Sequence, residues 1–310
     1  MSDPAKPGVP AALQALIKKG QRARVGVAPG DRLGRFEILS EVGKGGHGVV
    51  YRAVNVETAE PVAIKVLHEH VASDELNLRM KREAYAMQQL AGTSAAKVFE
   101  CAATSAGQLY LVMEFLDGRD LGQILDEHEA SGHLLPIPTM LEILGPIVQT
   151  LHVAHERGII HRDLKPENIT VLRAGGVRLV DFGLMKDLNL AAMTSAGTVA
   201  GSPTYIAPEA WAGKPELIDH RVDVYALGVM IFLILTNKRP FEPGNDLFDY
   251  ITLVRSAPRP SLYALRRDLH PAIDTWTQRA LAVNPHERYQ TVGELWTALQ
   301  LLLPRPGYTR

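Results

Sequence analysis

The sequence predicts an α+β fold in two lobes, a small antiparallel β-rich lobe carrying one main helix followed by a larger, mostly helical lobe. Three observations predict it. Residues 36–67 alternate β-branched and polar side chains around a glycine-rich turn and a short polar connection, as antiparallel strands do. Residues 76–90 repeat apolar side chains at helical spacing, and beyond residue 117 the pattern is helical with Gly- and Pro-rich joints. With 310 residues, 46% apolar and 22% charged, the chain carries enough apolar material for one or two packed cores.

Residues 1–35 hold Pro4, Pro7, Pro10 and Pro29 and seven basic against two acidic residues, a local charge of +5. The expectation is a flexible basic tail over 1–34, with a helix over 11–19 too short to stand alone in water. From Phe36, ILSEVGKGGHGVVYRAV, NVETAE and PVAIKVL read as a strand with a Gly-rich turn, a hairpin connection and a β-branched strand. Leu76, Met80, Met87 and Leu90 then share one helical face with a single foreign member, Glu83. A carboxylate on an apolar face demands a cation.

Strands follow at 97–104 and 108–115, the second ending in the connection MEFLDG. Helices are predicted over 140–155, 222–236, 273–283 and 292–303. The longest strongly apolar uncharged run, 224–236, falls short of the roughly 20 residues that span a bilayer. The uncharged stretch 188–208 is rich in Gly, Ser, Thr, Asn and Pro and reads as a loop. Residues 1–10 form no apolar h-region, so neither a signal peptide nor a transmembrane segment is expected. Cys101, the single cysteine, excludes an internal disulfide and a thiolate metal cluster and points to a reducing, cytoplasmic compartment. A net charge of -1 gives no reason to expect nucleic-acid binding.

Gly43, Gly45 and Gly48 form a GxGxxG, a weak signal alone, since such glycines also open dinucleotide-binding helices or make simple turns. Here the motif runs from strand to strand, so its amides would lie over phosphates as a flap. In PVAIK, strand alternation puts Ala63 and Lys65 on one face, where a small side chain can cover a flat ring and an ammonium can reach phosphate oxygens. Glu83 supplies the carboxylate partner for Lys65. The strongest signal is HRDLKPEN at 161–168, followed after twelve residues by DFG at 181–183. Asn168 and Asp181 offer oxygen ligands for Mg²⁺, Asp163 a carboxylate for an incoming hydroxyl, and Lys165 a charge for the transferring phosphoryl group.

With these motifs in this order, residues 35–303 resemble the eukaryotic-like protein kinase family, in its Ser/Thr branch and the versions found in bacteria. The resemblance implies the two-lobed protein kinase fold, with lobes at 35–116 and 117–303 and a C-terminal tail at 304–310. It implies a γ-phosphoryl transferase acting from ATP, with Mg²⁺ or its substitute Mn²⁺, on Ser/Thr of proteins and on itself. Val42, Gly43, Lys44, Gly45, Gly46, His47, Gly48 and Val50 would cover ATP, with Ala63 against adenine and Lys65 on the phosphates. Met113 would stand behind the adenine, the backbone of Glu114 to Leu116 would hydrogen-bond it, Thr170 would underlie it and Asp120 would contact the ribose. Asp163 resembles the catalytic base, and His161, Phe182 and Met87 would stack between the lobes.

Glu209 and Arg288 resemble the family's buried ion pair beneath the activation segment, and Asp223 the residue that braces the catalytic loop. Ser202 sits where a hydroxyl lies beside the catalytic aspartate, and Leu184 resembles the residue of enzymes that favour serine. Arg162 beside Asp163 implies control by activation-loop phosphorylation, with Thr194, Ser195 and Thr198 as the sites. Asp120 and Glu167 flank the peptide groove and suggest a preference for basic residues near the acceptor. His47 at the flap tip, AGTSAAKVF after the helix and Thr170 in place of a larger aliphatic depart from the family pattern. A pseudokinase scaffold and a small-molecule phosphotransferase are the competing readings.

Overall fold

Antiparallel pairing begins earlier than the alternation in the sequence suggests. In the computed structural model, which describes residues 27–44, 48–67, 74–104, 107–182, 203–212, 218–242 and 246–304, strand β1 (Arg32–Leu33) already pairs with β2 (Phe36–Lys44), Leu33 opposite Phe36. Ahead of it, Ala28 N–H donates to Asp31 Oδ2 at 2.7 Å, Gly30 N–H to Ile38 O at 2.9 Å, and Tyr51 hydroxyl to Val27 O at 2.9 Å. Residues 27–34 therefore belong to the small lobe and not to the tail. Proline and basic composition masked a two-residue strand and its turn. The helix expected at 11–19 lies outside the described residues.

Strands β3 (Gly48–Asn55), β4 (Pro61–Leu67), β5 (Val98–Ala103) and β6 (Leu109–Glu114) complete a six-stranded antiparallel sheet in the order β1-β2-β3-β4-β6-β5. Alternation along β4 sends Val62, Ile64 and Val66 into one core with Phe36, Ile38 and Tyr51. Its other face, with Ala63, Lys65 and Leu67, turns towards helix α1 (Asp74–Gln89). Met80 and Met87 of the predicted stripe are buried, as is Leu90 just past the helix end; the side chain of Leu76 lies outside the described residues.

A second, three-stranded sheet, unread in the sequence, joins β7 (Gly118–Asp120), β8 (Ile169–Leu172) and β9 (Val177–Leu179) beneath the first. Asp120 stands opposite Thr170, which stands opposite Arg178. Helix α2 (Leu121–Ala130) starts on an Asp120 cap, whose Oδ1 accepts Gln123 N–H at 2.9 Å. Helix α3 (Ile137–Glu156) is the one described helix long and apolar enough to cross a membrane; Met140, Leu144, Ile147 and Leu151 are fully buried in the helical-lobe core.

Helix α4 (Arg221–Thr236) is buried almost all round and ends at Asn237 in left-handed backbone, φ 51°. Helices α5 (Leu247–Ser256), α6 (Leu262–Leu265), α7 (Ile273–Ala280) and α8 (Val292–Gln300) surround it. The last two are shorter than predicted, because Leu281 caps α7 and residues 301–303 close α8 as a turn.

Candidate active site

Residues 161–168 are held by a carboxylate from α4. Asp223, 1% exposed, accepts His161 N–H on Oδ2 at 2.8 Å and Arg162 N–H on Oδ1 at 2.9 Å, while His155 Nε2 lies 2.8 Å from Oδ2. Burial pushes the Asp223 carboxyl up, but the His155 contact and the donated N–H outweigh it and hold the group below the usual range. These bonds keep Arg162 in left-handed backbone at φ 66°, a strained conformation for a residue with a side chain. Burial depresses the His161 imidazole, so the ring is neutral. It donates from Nε2 to Val180 O at 3.1 Å, accepts Asp163 N–H on Nδ1 at 3.3 Å and packs on Phe182 at 4.7 Å between ring centres.

Three polar side chains converge on the cleft side of this loop. Asp163 Oδ2 lies 3.2 Å from Lys165 Nζ and 3.3 Å from Asn168 Nδ2, and the same amide nitrogen donates to Asp163 O at 2.7 Å. The Asn168 amide thus uses its nitrogen within the loop and keeps its oxygen for a cation. Asp181, also in left-handed backbone at φ 53°, brings a half-exposed carboxylate to the cleft.

Lys65 reaches across from the small lobe. Its Nζ lies 2.6 Å from Asp181 Oδ1 and 3.7 Å from Glu83 Oε1. Burial opposes the Lys65 charge, yet the two carboxylates overcome it and raise its pKa. Partial desolvation between the lobes pushes the half-exposed Asp181 carboxyl up, and the Lys65 ammonium at 2.6 Å outweighs it, so that carboxyl sits below its ordinary value. Glu83, 2% exposed and at the longer distance, is left with its pKa raised to about 7 because burial exceeds the pull of Lys65.

Of the residues assigned to ATP, the described ones fall on strands β2, β3, β4, β6, β7 and β8 and on the connection between the lobes. Gly43 pairs with Val50, Lys44 with Val49 and Val50 with Lys65, so the strand ends that flank the glycine-rich turn lie in register with the lysine; Val42 is exposed. Ala63 is buried opposite Met113, and Glu114 to Leu116 are half-buried on the connection between lobes. Thr170 is half-buried on the lower side, and its methyl group packs close to Gly118, where an added Cβ would stand 2.4 Å from Val171 O and 2.9 Å from that methyl. The departure at 91–99 also finds a role: Ser94 N–H donates to Thr150 Oγ1 at 3.0 Å, and Ser94 O and Ala96 N–H bond the backbone of Leu179, tying the lobes together.

Below the loop, the fully buried Arg288 grips Glu209 through two parallel bonds of 2.7 and 2.6 Å and spends its remaining donors on the carbonyls of Ala282, Arg221 and Val283. A groove of about 250 Å³ opens beside the loop, bordered by Asp120, Asp126, Glu167, Tyr205, Leu233 and Arg239. Arg162 Nε is buried without a hydrogen-bond partner among the described residues. Gly45, Gly46, His47, Leu184, Thr194, Ser195, Thr198 and Ser202 lie outside the described residues. His155 was not legible in the sequence, since its partner lies 68 residues away and helical spacing marks it only as the end of α3.

A metal fits this donor set. No group of three or more His, Cys, Asp or Glu among the described residues converges as an all-protein cage. The Asp181 carboxylate and the Asn168 amide oxygen are hard donors of the kind Mg²⁺ takes alongside phosphate oxygens.

Residues 36–297 match the protein kinase domain family. Over 95% of its length the chain is 34% identical to serine/threonine-protein kinase Pkn1 of Myxococcus xanthus. It is also 34% identical to PksC of Streptomyces coelicolor over 83% of its length, and to PknL of Mycobacterium tuberculosis over 82%. It spans 43%, 47% and 62% of the lengths of these relatives. The crystal structure of the Mycobacterium tuberculosis PknI kinase domain superposes with a TM-score of 0.68 at 27% identity, covering 89% of this chain and 99% of that one.

Proposed function

Because the chain belongs to the protein kinase domain family, in its bacterial serine/threonine branch, we propose that it transfers the γ-phosphoryl group of ATP to Ser and Thr hydroxyls of proteins, itself included. The observation that carries this reading is the convergence of Lys65 and Asp181 at 2.6 Å across the cleft from the cluster of Asp163, Lys165 and Asn168. Lys65, held between two carboxylates, is positioned for the α and β phosphates. Asp163 orients the acceptor hydroxyl and takes its proton, and Lys165 beside it faces the charge of the moving phosphoryl group. Asn168 and Asp181 would hold Mg²⁺, or Mn²⁺ in its place, which when bound neutralises phosphate charge. Asp223, through the loop N–H groups, keeps Asp163 in place.

Three carboxylates against one guanidinium around the groove favour acceptors with basic neighbours. Arg162, whose buried Nε has no hydrogen-bond partner among the described residues, is the cation an activation-loop phosphate at Thr194, Ser195 or Thr198 would meet. The lone, half-buried Cys101 accords with a reducing cytoplasm.

Transfer of label from γ-labelled Mg-ATP onto the chain and onto an array of Ser/Thr peptides tests the reading. Asp163→Asn is expected to lower transfer by a factor on the order of 10³ while nucleotide still binds. Peptides with Arg or Lys near the acceptor should be preferred, and sites in the chain should map to Thr194, Ser195 or Thr198. Equal label in wild type and Asp163→Asn would remove the assigned base, and nucleotide binding with no transfer in either would favour a scaffold.

A further inference from the structure

We infer that Arg178 is a positioning residue that holds the connection between the lobes in the shape that receives adenine, acting through Glu114. The inference rests on the kinase reading above. Glu114 ends β6 and opens that connection, and its carboxylate joins three segments. Its Oε1 accepts Lys97 N–H at 2.8 Å, from the chain entering β5, and Arg178 Nε at 2.9 Å, from β9 in the other lobe. Its backbone N–H donates to Lys97 O at 2.9 Å. Arg178 is fixed in turn: it pairs with Thr170, which pairs with Asp120, and one guanidinium nitrogen donates to Val177 O at 3.0 Å. The connection thus takes its orientation from the strand pair that forms the floor of the adenine site.

The side chains of Glu114 and Arg178 are 17% and 25% exposed, so the ion pair is mostly shielded from water and its loss is not made good by solvent. Other straps hold the lobes together nearby: Leu179 N–H to Ser94 O at 2.7 Å and Ala96 N–H to Leu179 O at 2.9 Å are backbone bonds that do not depend on Arg178. Removing the guanidinium therefore leaves the fold tied and a carboxylate without its cation. That carboxylate, left with the Lys97 N–H as its partner, is drawn towards water and loosens the backbone of residues 114–116.

The test compares Arg178→Met, Arg178→Lys and Glu114→Gln. ADP affinity, measured calorimetrically in EDTA, reads the adenine site without the metal ligands. Arg178→Met is expected to weaken ADP about five- to tenfold and raise the ATP KM by the same factor, with kcat and Mg²⁺ dependence within about twofold of wild type. Arg178→Lys should recover most of the affinity, and adding Glu114→Gln to Arg178→Met should cost little more, since both act through one contact. Unchanged ADP affinity in Arg178→Met overturns the inference. So does a fall in kcat with altered Mg²⁺ dependence and normal ADP binding, which would assign Arg178 to Asp181, three residues along. Should Arg178→Met lose its cooperative melt, the Lys variant decides: a folded Arg178→Lys that binds ADP no better than Glu114→Gln also overturns it. If wild type binds ADP but transfers no phosphate, the catalytic reading fails and the ADP comparison still judges Arg178.

Discussion

Glu83 faces an ammonium that another carboxylate has already claimed: Lys65 Nζ is 2.6 Å from Asp181 and 3.7 Å from Glu83. Buried on the apolar face of α1, Glu83 ionises only at about 7, because burial outweighs Lys65. The ion pair with Lys65 is therefore complete only on the alkaline side of that value. For the free enzyme, kcat/KM is expected to rise with pH through about 7, and Glu83→Gln should be less active and lack that limb. Stability runs the other way. A carboxyl raised in the folded state contributes stability that is fully present below its unfolded value, 4.5, and is lost as pH rises through about 7. Melting wild type and Glu83→Gln from pH 5 to 8 should show wild type losing roughly 2 kcal/mol relative to the variant across that window. A constant difference would mean that Glu83 is ionised throughout. The stripe of Met80, Met87 and Leu90 made Glu83 legible in the sequence, but the competition from Asp181 was not, since it depends on a 2.6 Å contact between residues 116 apart.

At the scale of elements, the glycine-rich turn separates glycines that matter for space from those that do not. A Cβ on Gly48 would stand 2.2 Å from Val66 O in β4, whereas one on Gly43 would meet nothing within 4 Å. Gly48→Ala must push β3 off β4 just beside the Val50 and Lys65 pair, so the ATP KM should rise about tenfold with a loss of roughly 1–3 kcal/mol in stability. Gly43→Ala should change both by less than about twofold and 0.5 kcal/mol, and equal effects of the two would deny the contact. The motif marked both positions alike, because spacing in sequence carries no information about the neighbouring strand. Longer elements were easier to read: α1 and α3 bury a repeat of several turns, so periodicity finds them, and α4, buried almost all round, shows as a continuous apolar run. Strands β7 and β9, at three residues each, are too short for alternation to register, yet they position Asp120 and Arg178. Residues 27–34 failed for the opposite reason, their composition suggesting a tail where local hydrogen bonds build a strand.

Over the whole molecule, the apolar side chains divide into two clusters whose boundary bears on how ligand binding acts. Phe36, Ile38, Tyr51 and Val62 make a core confined to the outer layer of the small lobe. The other cluster runs from Leu67, Met80 and Leu111 near α1 through to α3, α4 and α8 in the large lobe. The cleft groups span this division, Lys65 lying on the strand shared by both cores and Asn168 and Asp181 on the large lobe. A nucleotide and metal held between them, as proposed, would link the glycine-rich layer to the rest and stabilise the folded chain by mass action. At a hundred times Kd this amounts to about 2.7 kcal/mol, a rise of roughly 5–10 °C in Tm for a domain of this size. Part of the rise should require Mg²⁺, because the proposed metal ligands, Asn168 and Asp181, are separate from the residues proposed to hold adenine. Asp181→Asn is expected to abolish the Mg²⁺-dependent part of the ADP shift and keep the part seen in EDTA, while Asp163→Asn keeps both. Thermal melts of the three proteins with ADP, with and without Mg²⁺, make the comparison. An Mg²⁺ increment that survives in Asp181→Asn would place the metal elsewhere and leave Lys65 as the main function of that carboxylate.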